Sequence, residues 1–325
     1  MWDGARATLV EALRREYGVR AAEVTRIVAG TVTTNFRVED DAGRQWFVKV
    51  YRDRGTLGHE LAAVELAGFA RAGGVPVPAV LRSAAGGLIC DSLPMSVWEF
   101  VQGDTAESGI AGGQWAAIGG VVGRLHRRLA AHPLGRPTLM PGVVVRDVGR
   151  AQEQFDRVIA RHGEAAAGSY EGWAVAAATE RRELLPRVEG ILAGLPELAV
   201  QVVHGDLASP NVLLDGDRVV GVIDFQPPGV RSVAWEISRI ALDPRTVLLG
   251  DEWVSGLAKF LDAYRAECPG ARAADLEAVV AVGCAYLLAS SYPLLERPTP
   301  ALEMYARARH EAGLVLLQWL KAQGL

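Results

Sequence analysis

Lysine is nearly missing from this sequence: Lys49, Lys259 and Lys321 are the only three, and arginine supplies every other basic side chain. Each lysine therefore merits separate reading. Cysteine is as scarce, with Cys90, Cys268 and Cys284 far apart and odd in number. That excludes a disulfide framework and a C-x-x-C metal site, and predicts buried thiols in a reducing compartment. Charge of one sign is not in excess either, since the formal net charge is -4. No basic field is present to draw in nucleic acid or an anionic membrane surface, so neither is expected as a partner. Long hydrophobic runs are also lacking. The longest uncharged stretch, 278–295, contains Gly283, Ser290, Ser291 and Pro293 and falls short of a membrane span, which predicts a buried core helix and its exit turn. The opening residues, Trp2-Asp3-Gly4-Ala5-Arg6, bring an acid early and turn amphipathic, unlike a secretory leader, so a cytoplasmic location is expected. Finally, no G-x-x-x-x-G-K-[ST], G-x-S-x-G, H-E-x-x-H or G-x-G-x-x-G stretch occurs, which removes P-loop, serine-hydrolase, zincin and Rossmann chemistry.

What is present is the make-up of a soluble enzyme with two lobes: 325 residues, 50% hydrophobic and 22% charged. Residues 5–17 space Ala5, Leu9, Leu13 and Tyr17 as one helical face, a helix expected to be peripheral and to stop near Gly18. Short β-branched runs follow at 24–28, 33–38 and 46–51, the last two joined by Asp40-Asp41-Ala42-Gly43. A helix is predicted over 57–72, ended by Gly73-Gly74, Pro76 and Pro78, and two more strands over 87–90 and 96–101. After Gln102-Gly103-Asp104 amphipathic helical segments take over, with 115–129 the clearest, and strand-like runs return only at 202–203, 212–214 and 219–223. The fold class is therefore α+β: residues 1–102 form a small lobe built on a five-stranded antiparallel sheet with one long helix, and 103–325 a larger, mainly helical lobe. A ligand cleft is expected between them.

The chemistry is concentrated in Val203-His204-Gly205-Asp206-Leu207-Ala208-Ser209-Pro210-Asn211-Val212-Leu213-Leu214 and, thirteen residues past Asn211, Ile223-Asp224-Phe225. An Asp and an Asn five apart, with a second Asp after the next hairpin, suit phosphoryl transfer to a hydroxyl. Asp206 would accept the hydroxyl proton, while Asn211 and Asp224 would hold Mg²⁺ against nucleotide phosphates, because hard divalent cations take oxygen ligands. Taken singly, Asp and Asn are ordinary turn residues; three together at strand ends are not. His204, directly after Val202-Val203, reads as a packed imidazole that braces the loop.

Phosphate chemistry also needs a cover and a cation. The stretch Val28-Ala29-Gly30-Thr31-Val32-Thr33-Thr34-Asn35-Phe36 offers Gly30, Thr31, Thr33 and Thr34, whose backbone N–H and hydroxyl groups suit phosphate oxygens; a plain hairpin would account for it equally well. Lys49, in Phe47-Val48-Lys49-Val50-Tyr51, shares a strand face with Phe47 and Tyr51 and is the candidate phosphate-binding cation. A partly buried lysine wants a carboxylate partner. Glu60 and Glu65 lie on the following helix five apart, hence on different faces, and Glu60, one turn in, is the expected partner.

In these motifs, and in Val75-Pro76-Val77-Pro78 after the helix, residues 27–241 resemble the aminoglycoside phosphotransferase family with the type II homoserine kinases and choline kinases. The resemblance implies a protein-kinase-like bilobal fold, ATP or GTP as donor, Mg²⁺, and transfer of the γ-phosphoryl group to a small-molecule hydroxyl by a monomer or homodimer. It implies Asp206 as the catalytic base, Asn211 and Asp224 as metal ligands, Lys49 on the α/β-phosphates with Glu60 beside it, and Trp98-Glu99-Phe100-Val101 as the hinge, where backbone groups of Glu99 and Val101 receive the base. Two departures stand out: Gln226-Pro227-Pro228 after Asp224-Phe225, and Glu236 where the family carries Asp, which predicts a structural carboxylate there.

The acceptor is not named by composition. An antibiotic of aminoglycoside or nucleoside type is expected, with a homoserine- or choline-type metabolite as the alternative and a nucleotide-binding pseudokinase as the alternative of another class. Asp243, Asp251, Glu252, Glu303 and Glu311 are candidates for binding a cationic acceptor, and Trp173, Trp235, Trp253, Tyr286 and Tyr292 for an apolar wall.

Overall fold

The structure, a computed structural model, describes residues 2–27, 33–90, 92–166 and 168–324, with the backbone alone for 2–5. In chain order its elements are α1 (Trp2–Tyr17), β1 (Ala21–Ile27), β2 (Thr33–Asp40), β3 (Gln45–Tyr51), α2 (Leu57–Arg71), β4 (Val80–Leu81), β5 (Met95–Glu99) and β6 (Asp104–Thr105). There follow α3 (Gln114–Leu129), β7 (Thr138–Met140), α4 (Val148–His162), α5 (Tyr170–Ala193), β8 (Leu198–Val203), β9 (Val212–Asp215), β10 (Arg218–Val222) and β11 (Gly229–Ser232). The chain ends through α6 (Val233–Ala241), α7 (Pro244–Val247), α8 (Glu252–Glu267), α9 (Ala273–Glu277), α10 (Val279–Leu288) and α11 (Pro300–Ala322). Two compact units result: 1–105 with 204–206 and 211–229, and 106–203 with 207–210 and 230–325. No helix among the described residues is long and apolar enough to cross a membrane.

The first unit carries the five-stranded antiparallel sheet, ordered β1-β2-β3-β5-β4, and a smaller sheet β10-β9-β6. Alternation along β3 decides what each face receives. Val48 joins Phe36, Val38, Met95 and Val97 in the core, leaving Phe47, Lys49 and Tyr51 on the opposite face. Helix α1 belongs to that core: Leu9 and Leu13 are 2% and 0% exposed, so the expected peripheral helix is instead a lid on the sheet. The predicted strand over 87–90 is also displaced. A turn closed by Ser83 N–H to Gly87 O (2.8 Å) and Gly86 N–H to Ser83 O (2.8 Å) takes up the backbone there, and only Cys90 bridges to Met95. The residues that pair with β5 are Val80 and Leu81, opposite Trp98 and Val97.

The hairpin that presents Lys49 is held by Asp40. Its Oδ1 accepts from Ala42 N–H (3.0 Å) and Arg44 N–H (2.9 Å), and its Oδ2 from Arg44 Nε (2.9 Å) and Trp46 Nε1 (3.0 Å). Burial alone would raise this carboxyl, but the Trp46, Arg44 and Ala42 donors outweigh it and hold it below the usual carboxylate range. The stabilisation is therefore present above the unfolded value of about 3.9 and is lost as pH falls through the lower folded value. Asp40→Ala should cost about 2 kcal/mol at neutral pH and flatten the acid limb of a urea-unfolding series; unchanged stability at neutral pH would refute this.

The second unit is helical around the sheet β11-β8-β7. Helices α3 and α8 approach so closely that a Cβ on Gly119 would lie 2.2 Å from Phe260 O and one on Gly123 2.5 Å from Tyr264 O, which is why both positions are glycine. Between α3, α6 and α8, buried His126 donates from Nε2 to Glu236 Oε2 (2.9 Å) and shares a 2.9 Å hydrogen bond at Nδ1 with the Tyr264 hydroxyl. Glu236 is a brace, as its place in the sequence predicts.

Candidate active site

The loop after β8 and the end of β10 are cross-linked by the backbone and by one histidine. Gln226 N–H donates to His204 O (3.0 Å) and Ile223 N–H to Asn211 O (3.0 Å). His204, 0% exposed, bonds Ile223 O through Nε2 (2.9 Å) and accepts Asp206 N–H at Nδ1 (3.2 Å), while its ring lies 4.2 Å from that of Phe225. A carbonyl only accepts and an N–H only donates, so the imidazole proton sits on Nε2 and both ring nitrogens are engaged. The predicted bracing role is the one this geometry allows.

Two residues in this arrangement have positive φ, the left-handed region that favours glycine and tolerates Asp or Asn. Asp224, with φ of 64°, is the one non-glycine residue with positive φ among the described residues. Gly205 has φ of +90°, and a Cβ there would lie 2.8 Å from Gln226 Cβ. The departure at Gln226 thus fits a close approach that glycine permits. Gly205→Ala should lose about 2 kcal/mol of stability and displace the neighbouring Asp206, cutting turnover at least tenfold. Denaturant unfolding alongside a turnover assay checks both, and a fully active, equally stable variant would count against the geometry.

Asn211 donates Nδ2 to Asp206 O (2.8 Å), with Asp206 Oδ2 at 3.4 Å. Because that carbonyl must receive a donor, the amide orientation is settled and Oδ1 is left as an acceptor. Lys49 Nζ lies 2.8 Å from Asp224 Oδ1, the lysine 22% and the aspartate 46% exposed. Here the expected partner is corrected: Lys49 pairs with Asp224, not with Glu60 or Glu65. The physical reason is reach, since the turned backbone at Asp224 brings its carboxylate to the sheet face, whereas Glu60 acts only at range. Burial pushes the Tyr51 phenol up, and the charges of Glu60 and Asp224 add to that.

Strand register supplies neighbours of Lys49 that sequence inspection missed. Asn35 on β2 and Ser96 on β5 are its cross-strand partners, and Ser96 Oγ is 2.8 Å from both the Tyr51 hydroxyl and Trp98 Nε1. Once the Asp40–Gly43 turn is accepted, counting back along β2 would have found Asn35. Thr33, 6% exposed, donates its hydroxyl to Asn35 Oδ1 (2.9 Å), and Thr34 accepts from Arg52 Nε (3.1 Å). Gly30 and Thr31 lie outside the described residues. At the end of β5, Glu99 Oε2 accepts Ala79 N–H (3.1 Å), and Glu99 N–H donates to Ala79 O (2.8 Å). Val101 follows two residues past that strand end, in the loop before β6.

Among the described residues no group of three or more His, Cys, Asp and Glu could hold a metal ion. The donors present, one amide oxygen and one carboxylate, suit Mg²⁺, which keeps waters and phosphate oxygens in its shell instead of an all-protein cage. Asn211 and Asp224 thus fit the group the motif implies.

Residues 23–274 match the model of a family described as the phosphotransferase enzyme family. No curated protein sequence matches the chain. Among solved structures, a spectinomycin phosphotransferase in complex with ADP and spectinomycin matches with a TM-score of 0.71 at 13% identity, covering 96% of this chain and 98% of that one. An amicoumacin kinase in complex with AMP-PNP and Ca²⁺ matches with a TM-score of 0.56 at 16% identity, covering 96% of each chain. A macrolide 2'-phosphotransferase of Brachybacterium faecium gives 0.54 at 14% identity, covering 94% and 96%. At such identities the likeness speaks for the fold.

Proposed function

Since the chain belongs to the phosphotransferase enzyme family, with the residues 23–274 that match it spanning the whole loop system above, we propose that it moves the γ-phosphoryl group of ATP or GTP to a hydroxyl of a small molecule. The observation that most supports this is the cross-linked pair of loops: two backbone hydrogen bonds and His204 join the segment of Asp206 and Asn211 to that of Asp224. In a reaction with so little covalent chemistry for the protein to perform, such positioning is most of the catalysis.

Asp206 accepts the proton of the acceptor hydroxyl as the new P–O bond forms, and its backbone is held for that by His204 and Asn211. Asn211 Oδ1 and the Asp224 carboxylate would hold Mg²⁺, which when bound neutralises charge on the phosphates. Lys49 brings its ammonium to the α/β-phosphates from the polar face of β3, with Thr33 and Thr34 of β2 beside it. Backbone groups of Glu99 and Val101 receive the base. A soluble monomer or homodimer in the cytoplasm suits this chemistry.

Antibiotics are the acceptors to try first, on the strength of the spectinomycin, amicoumacin and macrolide kinases that share the fold. The deciding experiment is a Mg²⁺-dependent ADP- and GDP-release screen over antibiotics, homoserine and choline, with product mass checked for one added phosphoryl group. A product of that mass establishes the reaction. Nucleotide binding with no transfer to any acceptor would favour the pseudokinase alternative.

A further inference from the structure

The helical unit buries two arginine side chains completely. Arg181 on α5 and Arg309 on α11 are 0% and 1% exposed. Arg181 is largely accounted for, donating to Ser290 O (3.0 Å) and His310 Nδ1 (3.2 Å). Arg309 is matched only in part: it hydrogen-bonds Tyr286 and Tyr305, while its Nε and Nη2 find no acceptor. Its guanidinium also faces three tyrosine rings, with centroids at 4.8 Å (Tyr286), 5.8 Å (Tyr292) and 5.7 Å (Tyr305). Tyr292 is 47% exposed, so the cluster opens to solvent.

The field around it is positive. Burial opposes ionisation of Tyr286, yet the charges of Arg309, Arg239 and Arg146 outweigh burial and hold its phenol below the ordinary value. The carboxylate whose charge reaches Tyr305 is Asp243, and it caps α7 and pairs with Arg245 (3.2 Å). That removes one of the acids suggested for a cationic acceptor; Asp251, Glu252 and Glu303 stand at helix starts, where acids favour the dipole. Trp253 is core, packed on Trp319.

A desolvated guanidinium with two unmatched donors is unfavourable unless something supplies acceptors. Its planar fork matches a carboxylate or phosphate, and tyrosine hydroxyls can donate to the same oxygens. We propose that Arg309 and the tyrosines around it form a binding site for a small oxyanion, a carboxylate or a phosphate group, within the helical unit.

Two readouts test it. With Mg²⁺ and ADP saturating, sulfate should raise the melting temperature of the wild-type protein above that in chloride of equal ionic strength and perturb its near-ultraviolet tyrosine spectrum. Both responses should vanish in Arg309→Met and weaken in Arg309→Lys, which keeps the charge but not the fork. The proposal is overturned if the wild type ignores sulfate, or if Arg309→Met responds to it as the wild type does.

Discussion

Replacing Asp206 by asparagine should lower kcat about a thousandfold or more while leaving nucleotide affinity close to that of the wild type. The substitution keeps size and shape but removes the only proton acceptor assigned to the reaction. The main-chain groups of Asp206, which bond His204 Nδ1 and Asn211 Nδ2, are retained, so the loop should hold its form. Asn211 and Asp224, the residues assigned to the metal, are untouched. A loss confined to kcat, with KM for nucleotide unchanged and the melting temperature preserved, is the pattern of a group used in the transition state and not in binding. Steady-state kinetics with a fluorescent nucleotide titration checks it. Near-wild-type turnover would remove Asp206 from the chemistry.

The second large effect is expected at Asp224, where stability and activity should part company. Its ion pair with Lys49 is partly open to solvent, the side chains being 22% and 46% exposed, and such a pair contributes only about 0–1 kcal/mol. Its φ of 64° is one that asparagine adopts at least as readily as aspartate. Asp224→Asn should therefore melt within a degree or two of the wild type. Turnover should nevertheless fall at least a hundredfold, and the Mg²⁺ concentration needed for half-maximal rate should rise, because the carboxylate is the one charged metal ligand proposed. If the variant instead keeps both rate and Mg²⁺ dependence, Asp224 serves only to hold Lys49.

Much of this was legible in the sequence because short range chemistry carried it. Alternation in Phe47-Val48-Lys49-Val50-Tyr51 put Val48 in the core and Lys49 on the opposite face, and the structure has them so. Strand ends at Val203 and Val222 set Asp206 and Asp224 where loops begin. The Asp40 turn could be read from residue types alone, since its donors are all within six residues. Strand β4 could not: Gly87–Cys90 and Val80–Leu81 are both apolar, and only the pairing available on β5 selects between them.

What belonged to the sequence by itself was the reaction family and the residues proposed to bear its chemistry, because those depend on residue type and spacing along one loop and one hairpin. What only the tertiary structure decided was which groups meet across the chain. Lys49 finds Asp224, 175 residues away, in preference to the nearby Glu60; α1 closes over the sheet; and Arg309 comes to lie among Tyr286, Tyr292 and Tyr305. Such pairings are set by backbone path and burial, and an ionic side chain takes whichever partner the fold delivers within hydrogen-bond reach, irrespective of its distance in sequence.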